Sequence, residues 1–177
     1  GMPFVMHKDG HAEKAAYLQG LFEKTYITDV IERNQLKASK DVLEDLLNYL
    51  ASSVGSLTNA TKLENTFRST KKLNISHQTI SAYIDHFIDA FIIRKAERYD
   101  IKGRKYIGAQ QKYFFTDVGL RNARLNFRQQ EENHIMENIL YNELTARGFS
   151  VDIGVVETMV TNTAGNRQRS QLEVDFV

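Results

Sequence analysis

Apolar residues at Ile80, Ile84, Phe87 and Phe91 recur at intervals of 4, 3 and 4, which puts them on one face of a helix that Ser76 is placed to cap. The period then changes. From Phe91 to Tyr99 the chain is apolar and strand-like, Asp100 to Lys105 is charged and turn-prone, and a second short strand is predicted from Tyr106 to Gly108. Upstream, Leu18, Leu21, Phe22, Val30 and Ile31 form a helical stripe within His11 to Asn34, with a break expected near Tyr26, where β-branched residues gather. Leu43, Leu46, Leu47, Leu50 and Val54 mark the buried face of the next helix. Ser39 or Asp41 can cap it, Asp41 and Glu44 have capping-box spacing, and Gly55 is the stop. A short helix capped by Asn59 or Thr61 runs through Phe67, with Glu64 three residues after Thr61. Three helices followed by a basic hairpin is the helix-turn-helix order with a wing added.

Beyond the hairpin, Lys112 to Thr116 reads as a strand and Asp117 opens a polar helix through Arg121 and Arg124. Asn126 to Glu132 reads as a linker. Ile135, Ile139, Leu140 and Leu144 give Glu132 to Arg147 an apolar face, and Gly148 stops that helix. Strands follow at Phe149 to Val156 and Leu172 to Val177, separated by a polar loop containing Gly165. Two strands alone make a marginal sheet, so further strands are expected beyond Val177. The expected fold class is mainly α with small β, a winged helix-turn-helix followed by a truncated α/β segment. Its divisions are a helical docking segment (1–37), a winged-helix domain (38–128) and the start of a second domain (129–177). The glycine before Met2 reads as either a processed tag or a cut inside a longer protein, and with the uncapped final strand the chain reads as a fragment.

Composition changes this picture little, but charge distribution changes it more. With 42% hydrophobic residues and a mean hydropathy of -0.42 the chain is ordinary for a globular domain. No apolar run approaches the roughly 20 residues of a membrane span. The absence of cysteine excludes disulfides and thiolate metal sites and is compatible with a cytoplasmic location. The net charge of +1 conceals a segregation. Residues 94–128 carry 10 Lys/Arg against 3 Asp/Glu, and residues 129–177 carry 3 against 8. So basic a segment can meet phosphate, or the acidic segment that follows it in the same chain.

For DNA contact, the start of the third helix offers Ser76, His77, Gln78 and Ser81 to a major groove. That helix has no Lys or Arg, and Asp85 and Asp89 repel phosphate, so affinity falls to Arg98, Lys102, Arg104, Lys105 and Lys112 in the hairpin region. For metal-dependent chemistry, Glu137 on a helix and Asp175 on the last strand stand out, with Glu173 on the same strand face as Asp175. Residues 129–177 contain no lysine to assist them, and a solvated helix glutamate beside a strand-end aspartate is the plainer reading. His134 and Glu137, one turn apart, fit a surface pair better than a metal site. There is no Walker loop, HExxH or nucleophile elbow.

The runs YLQGLFEKTYITDVIERN, LLNYLASSVGSLTN, ISHQTISAYIDHFIDAFII, KAERYDIKGRKYI, KYFFTDVGLRNARLNFRQ and ENILYNELTARGFSVDIG resemble the C-terminal half of AAA+-type ATPases of bacteria and archaea, the region catalogued as domain of unknown function 4143. The resemblance implies a winged-helix domain followed by a restriction-endonuclease-like one. Its helix acid would be Glu137 and its strand acid, a Mg²⁺ ligand, Asp175. It also implies an N-terminal ATPase module that carries ATP and Mg²⁺ and is a partner of this part, which holds no cofactor itself; DNA is the partner that the basic segment suggests.

Overall fold

The computed structural model describes residues 2–36, 40–128, 131–161 and 167–177. A short 3-10 turn (Pro3–His7) leads into α1 (Gly10–Leu21), which passes through a π-helical turn (Phe22–Ile27) into α2 (Thr28–Arg33). The break expected near Tyr26 is therefore a widening of the helix. Helix α3 (Lys40–Ser52) buries Leu43, Leu46, Leu47 and Leu50 on one face. Asp41 lies in its first turn, while Glu44 reaches Arg124 at 3.0 Å and Lys40 at 3.4 Å instead of closing a capping box. Ser39, the other candidate cap, lies outside the described residues.

Helix α4 (Ala60–Lys71) is capped by Asn59, whose side-chain oxygen accepts from the Lys62 amide at 2.7 Å, so Thr61 is inside the helix. Helix α5 (His77–Asp89) is capped by Ser76, as its spacing predicts, with Oγ accepting from the Thr79 amide at 3.2 Å. Ile80, Ile84 and Phe87 are buried, but Phe91 is not the next member of that stripe. The helix ends at Asp89, Phe91 turns into the left-handed region at φ 56°, and its ring is 73% exposed. That turn brings Ile92 and Ile93 into the core in its place.

The strands of the hairpin region are shorter and differently joined than their sequence pattern predicts. Strand β1 (Ile93–Ala96) pairs antiparallel with β4 (Lys112–Phe115), with Ile93 opposite Phe115 and Ala96 opposite Lys112. Between them, β2 (Arg98–Asp100) and β3 (Lys105–Tyr106) form the hairpin. An isolated bridge between Thr58 and Gln111, two 2.9 Å hydrogen bonds, ties the α3–α4 loop to the approach of β4. Helix α6 (Val118–Arg124) starts at Asp117, whose carboxylate accepts from the Leu120 amide at 2.8 Å.

Helix α7 (Glu132–Ala146) and strands β5 (Ile153–Thr161) and β6 (Arg167–Val174) complete the described chain. An open two-stranded terminal sheet is the sequence expectation; instead β5 runs parallel to β2, Arg98 opposite Ile153, in a four-stranded sheet ordered β3-β2-β5-β6. The parallel pairing satisfies backbone groups of both segments: Ile153 donates to the Glu97 carbonyl at 2.8 Å and Ile101 to Val155 at 3.0 Å. Phe149 to Val151, expected as strand, precede β5, and β6 begins earlier than Leu172. The fold is mixed α/β, with helices predominating. No helix among the described residues is long and apolar enough to cross a membrane.

Candidate functional site

Helix α7 approaches β4 with an unexpected face. Asn138 and Tyr141 are its buried residues, whereas Met136, Ile139 and Leu140 are half exposed or more. The reason is hydrogen bonding. Asn138 straddles β4, accepting from the Phe115 amide at 2.9 Å and donating to the Phe115 carbonyl at 2.7 Å, and Asn142 donates to the same carbonyl at 2.8 Å. Tyr141 stacks on Phe114 with centroids 4.3 Å apart and donates its hydroxyl to the Lys95 carbonyl at 3.1 Å. These bonds satisfy backbone groups that burial would otherwise orphan.

The same face carries Glu137 to Lys112. The Lys112 ammonium lies 2.8 Å from Glu137 and 2.6 Å from Glu173 on β6, and the residue is only 4% exposed. Burial pushes its pKa down, but hydrogen bonds and charge from the two glutamates outweigh burial and raise it above the usual lysine value. This ammonium ties β4, α7 and β6 together. It also supplies the lysine that residues 129–177 lack, from a strand that precedes them, a pairing that no spacing along the chain announces. Gly55 (φ 73°) backs onto the cluster: a Cβ there would sit 2.5 Å from a Glu137 carboxylate oxygen and 3.3 Å from His134. His134 itself pairs with Glu131 at 3.3 Å.

The acid expected to join Glu137, Asp175, is exposed just beyond β6, and the glutamate that Lys112 links to Glu137 is Glu173. Among the described residues no group of three or more His, Cys, Asp or Glu side chains is arranged to hold a metal ion. Two carboxylates share one buried ammonium, which links α7 and β6 to β4 and compensates one of their two charges.

The residues expected to face nucleic acid differ in their surroundings. Ser76 caps α5, and the backbone amide and Nδ1 of His77 lie 3.0 and 3.1 Å from Glu64. The His77 hydrogen bond is the main cause holding the Glu64 carboxyl below its usual pKa. Gln78 and Ser81 are exposed and line a cleft of about 540 Å³ with Asp85, Gln111 and Tyr113. Burial pushes the Tyr113 hydroxyl up to about 12.

In the hairpin, Arg98 donates to Gln171 at 2.8 Å and Lys102 reaches the Glu157 carbonyl at 3.5 Å, both on the terminal strands. Arg104 and Lys105 remain exposed at the tip. Lys112, expected to meet phosphate, is instead enclosed by carboxylates. The α6 cations are also engaged: Arg121 is buried and donates to the Ala51 carbonyl at 2.8 Å, and Arg124 meets Glu44 and Asn48. A polar helix with two arginines gives no sequence sign that one of them is core.

A mixed α/β domain in which helix α7 hydrogen-bonds to β4 and a buried lysine of β4 pairs with two glutamates is the class that this geometry defines. The chain belongs to the family of a domain of unknown function, DUF8612, whose model matches residues 1–131. It is similar to an "Uncharacterized protein" of Haemophilus influenzae (strain ATCC 51907 / DSM 11121 / KW20 / Rd), 35% identical over 158 residues, which cover 89% of this chain and 39% of that protein. The chain thus spans well under half the length of that relative. No solved structure matches it. The family match corrects the resemblance to the C-terminal half of AAA+-type ATPases and to domain of unknown function 4143, along with the ATPase context drawn from it. Short apolar helix patterns and a basic hairpin recur across unrelated domains, which is why runs of this kind mislead.

Proposed function

We propose that this chain is a non-catalytic interaction module of winged-helix type that contacts protein in preference to nucleic acid. The winged-helix reading is supported by the order α3, α4, α5, then β1, the β2–β3 hairpin and β4, with the Thr58–Gln111 bridge standing where a first short strand would join the sheet. The observation that carries the functional reading is the fate of the basic segment. Arg98, Lys102 and Lys112 are turned onto groups of residues 129–177, and β2 is paired along its length with β5. With β2 taken up between β3 and β5 and three of the basic side chains directed at residues 129–177, fewer cations are free to meet a phosphate backbone.

A second reading, duplex contact, is favoured by the exposure of Gln78, Ser81, Arg104 and Lys105. Titration of a fluorescently labelled duplex at low salt separates the two. The interaction-module reading expects no binding beyond a weak signal that salt removes and that Arg104→Ala/Lys105→Ala leaves unchanged. Tight binding lost in that double variant would overturn it.

A further inference from the structure

Helix α7 packs on β4 with one face and leaves the opposite one exposed, with Ile139 and Glu143 at the rim of a cleft that Asp117 and Val118 also line. Asn138, Tyr141 and Glu137 face β4, whereas Glu132, Met136, Ile139, Glu143 and Arg147 follow one another in steps of 4, 3, 4 and 4 on the other side. Along that outer stripe Met136 is 56% and Ile139 51% exposed, and Leu140 beside them is 50% exposed. Helical surfaces of soluble domains normally carry their polar residues outward. Here the inward face is the polar and aromatic one, because its amides and hydroxyl serve the backbone of β4 and of Lys95. Exposed apolar side chains clustered at the middle of a helix face, as Met136, Ile139 and Leu140 are, mark contact surfaces.

The charges at its ends say what fits it. Glu132 opens the stripe and Arg147 closes it, and the midpoint between them falls between Ile139 and Leu140. Two copies of α7 packed antiparallel about a twofold axis at that midpoint would set Glu132 of each level with Arg147 of the other, with the apolar residues meeting in the centre. An isologous contact requires such self-complementarity, and a stripe with acid or base at both ends would lack it. The Arg147 guanidinium now lies 2.7 Å from Glu143 with both side chains largely exposed, so it can shift to a second acid at little cost. We infer that the outer face of α7 is a homodimer interface, in which a second copy of this chain docks antiparallel across Met136, Ile139 and Leu140. This rests on the interaction-module reading and names its partner. One helix face is small beside the 1,200 Å² or more of a standard interface, so the dimer is expected to be reversible, with a Kd in roughly the micromolar range.

Sedimentation velocity of the chain between about 1 and 200 µM, a range bracketing that Kd, should show a monomer giving way to a dimer. Ile139→Glu, at an exposed position, should keep the circular dichroism spectrum and weaken association at least ~10-fold, as a central contact does. Glu132→Arg and Arg147→Glu should each weaken it, and the double exchange Glu132→Arg/Arg147→Glu should restore it, an outcome that helix stability alone does not produce. A chain that stays monomeric at the highest concentration, or a dimer indifferent to Ile139→Glu, overturns the inference. So does a double exchange that fails to recover association. If the chain is monomeric and also ignores the labelled duplex, only the second copy falls; if the duplex binds through Arg104 and Lys105, the interaction-module reading falls.

Discussion

A lysine ammonium enclosed by protein keeps its charge only when carboxylates compensate for lost water, and at Lys112 two of them do. Replacing it, as in Lys112→Met, leaves Glu137 and Glu173 facing each other without a counter-charge. The expected loss is about 2–3 kcal/mol in urea unfolding, below the range for a fully buried pair because Glu173 is 36% exposed and partly screened by solvent. The raised pKa fixes the sign of the pH dependence. A cationic group whose pKa is higher folded than unfolded stabilises fully below its unfolded pKa, and that contribution disappears as pH climbs through the folded value. The stability gap between wild type and Lys112→Met should therefore be constant through neutral pH and narrow above the ordinary lysine range near 10.5. A gap that widens with rising pH would contradict the assigned role. In sequence Lys112 reads as one more cation of a basic stretch, because its two carboxylates lie far along the chain.

At the scale of elements, caps and helix faces were legible and strand partners were not. Ser76, Asn59 and Asp117 cap the helices they precede, since a side-chain oxygen beside an orphan amide is a local arrangement. The buried stripe of α3 follows from its leucines alone. Helix α7 follows the same logic only in part: Ile135 and Leu144 are partly buried, Leu144 against the core, whereas Ile139 and Leu140 are exposed and the side chains that satisfy β4 take the innermost place. The α3–α4 loop shows how tightly that helix is seated: Gly55 adopts φ 73°, with Glu137 and His134 directly above it. Gly55→Ala should cost about 2 kcal/mol through left-handed strain and displacement of the Glu137 carboxylate, read as a lowered Tm. It should cost less in a Glu137→Ala background, where the carboxylate is gone; equal costs in both backgrounds would show that the contact carries no energy.

At the scale of the whole molecule, the basic and acidic halves of the charge pattern meet each other. Residues 94–128 and 129–177 have opposite net charge, and β2–β5 pairing, Arg98–Gln171 and the Lys112 cluster join them. Their amides should report this as a single opening unit. Hydrogen exchange at Ile153 and Ile101, which donate across the β2–β5 pair, is expected to be as slow as at Phe115 in β4. Fast exchange at the first two with Phe115 protected would mean that the terminal strands open independently of the helical core.

By itself the amino-acid sequence determined where α4, α5 and α6 begin, which faces of α3 and α5 are buried, that a basic hairpin follows α5, and that charge is segregated along the chain. Those properties depend on neighbours within a few residues, or on composition. Only the tertiary structure decided that β5 lies parallel to β2, that Glu137 and Glu173 enclose Lys112, and that α7 leaves Met136, Ile139 and Leu140 outward. Each of these is set by which backbone groups and charges the folded chain brings together across long sequence separations. Unsatisfied amides and uncompensated charges cost more in the interior than a few exposed aliphatic side chains cost at the surface.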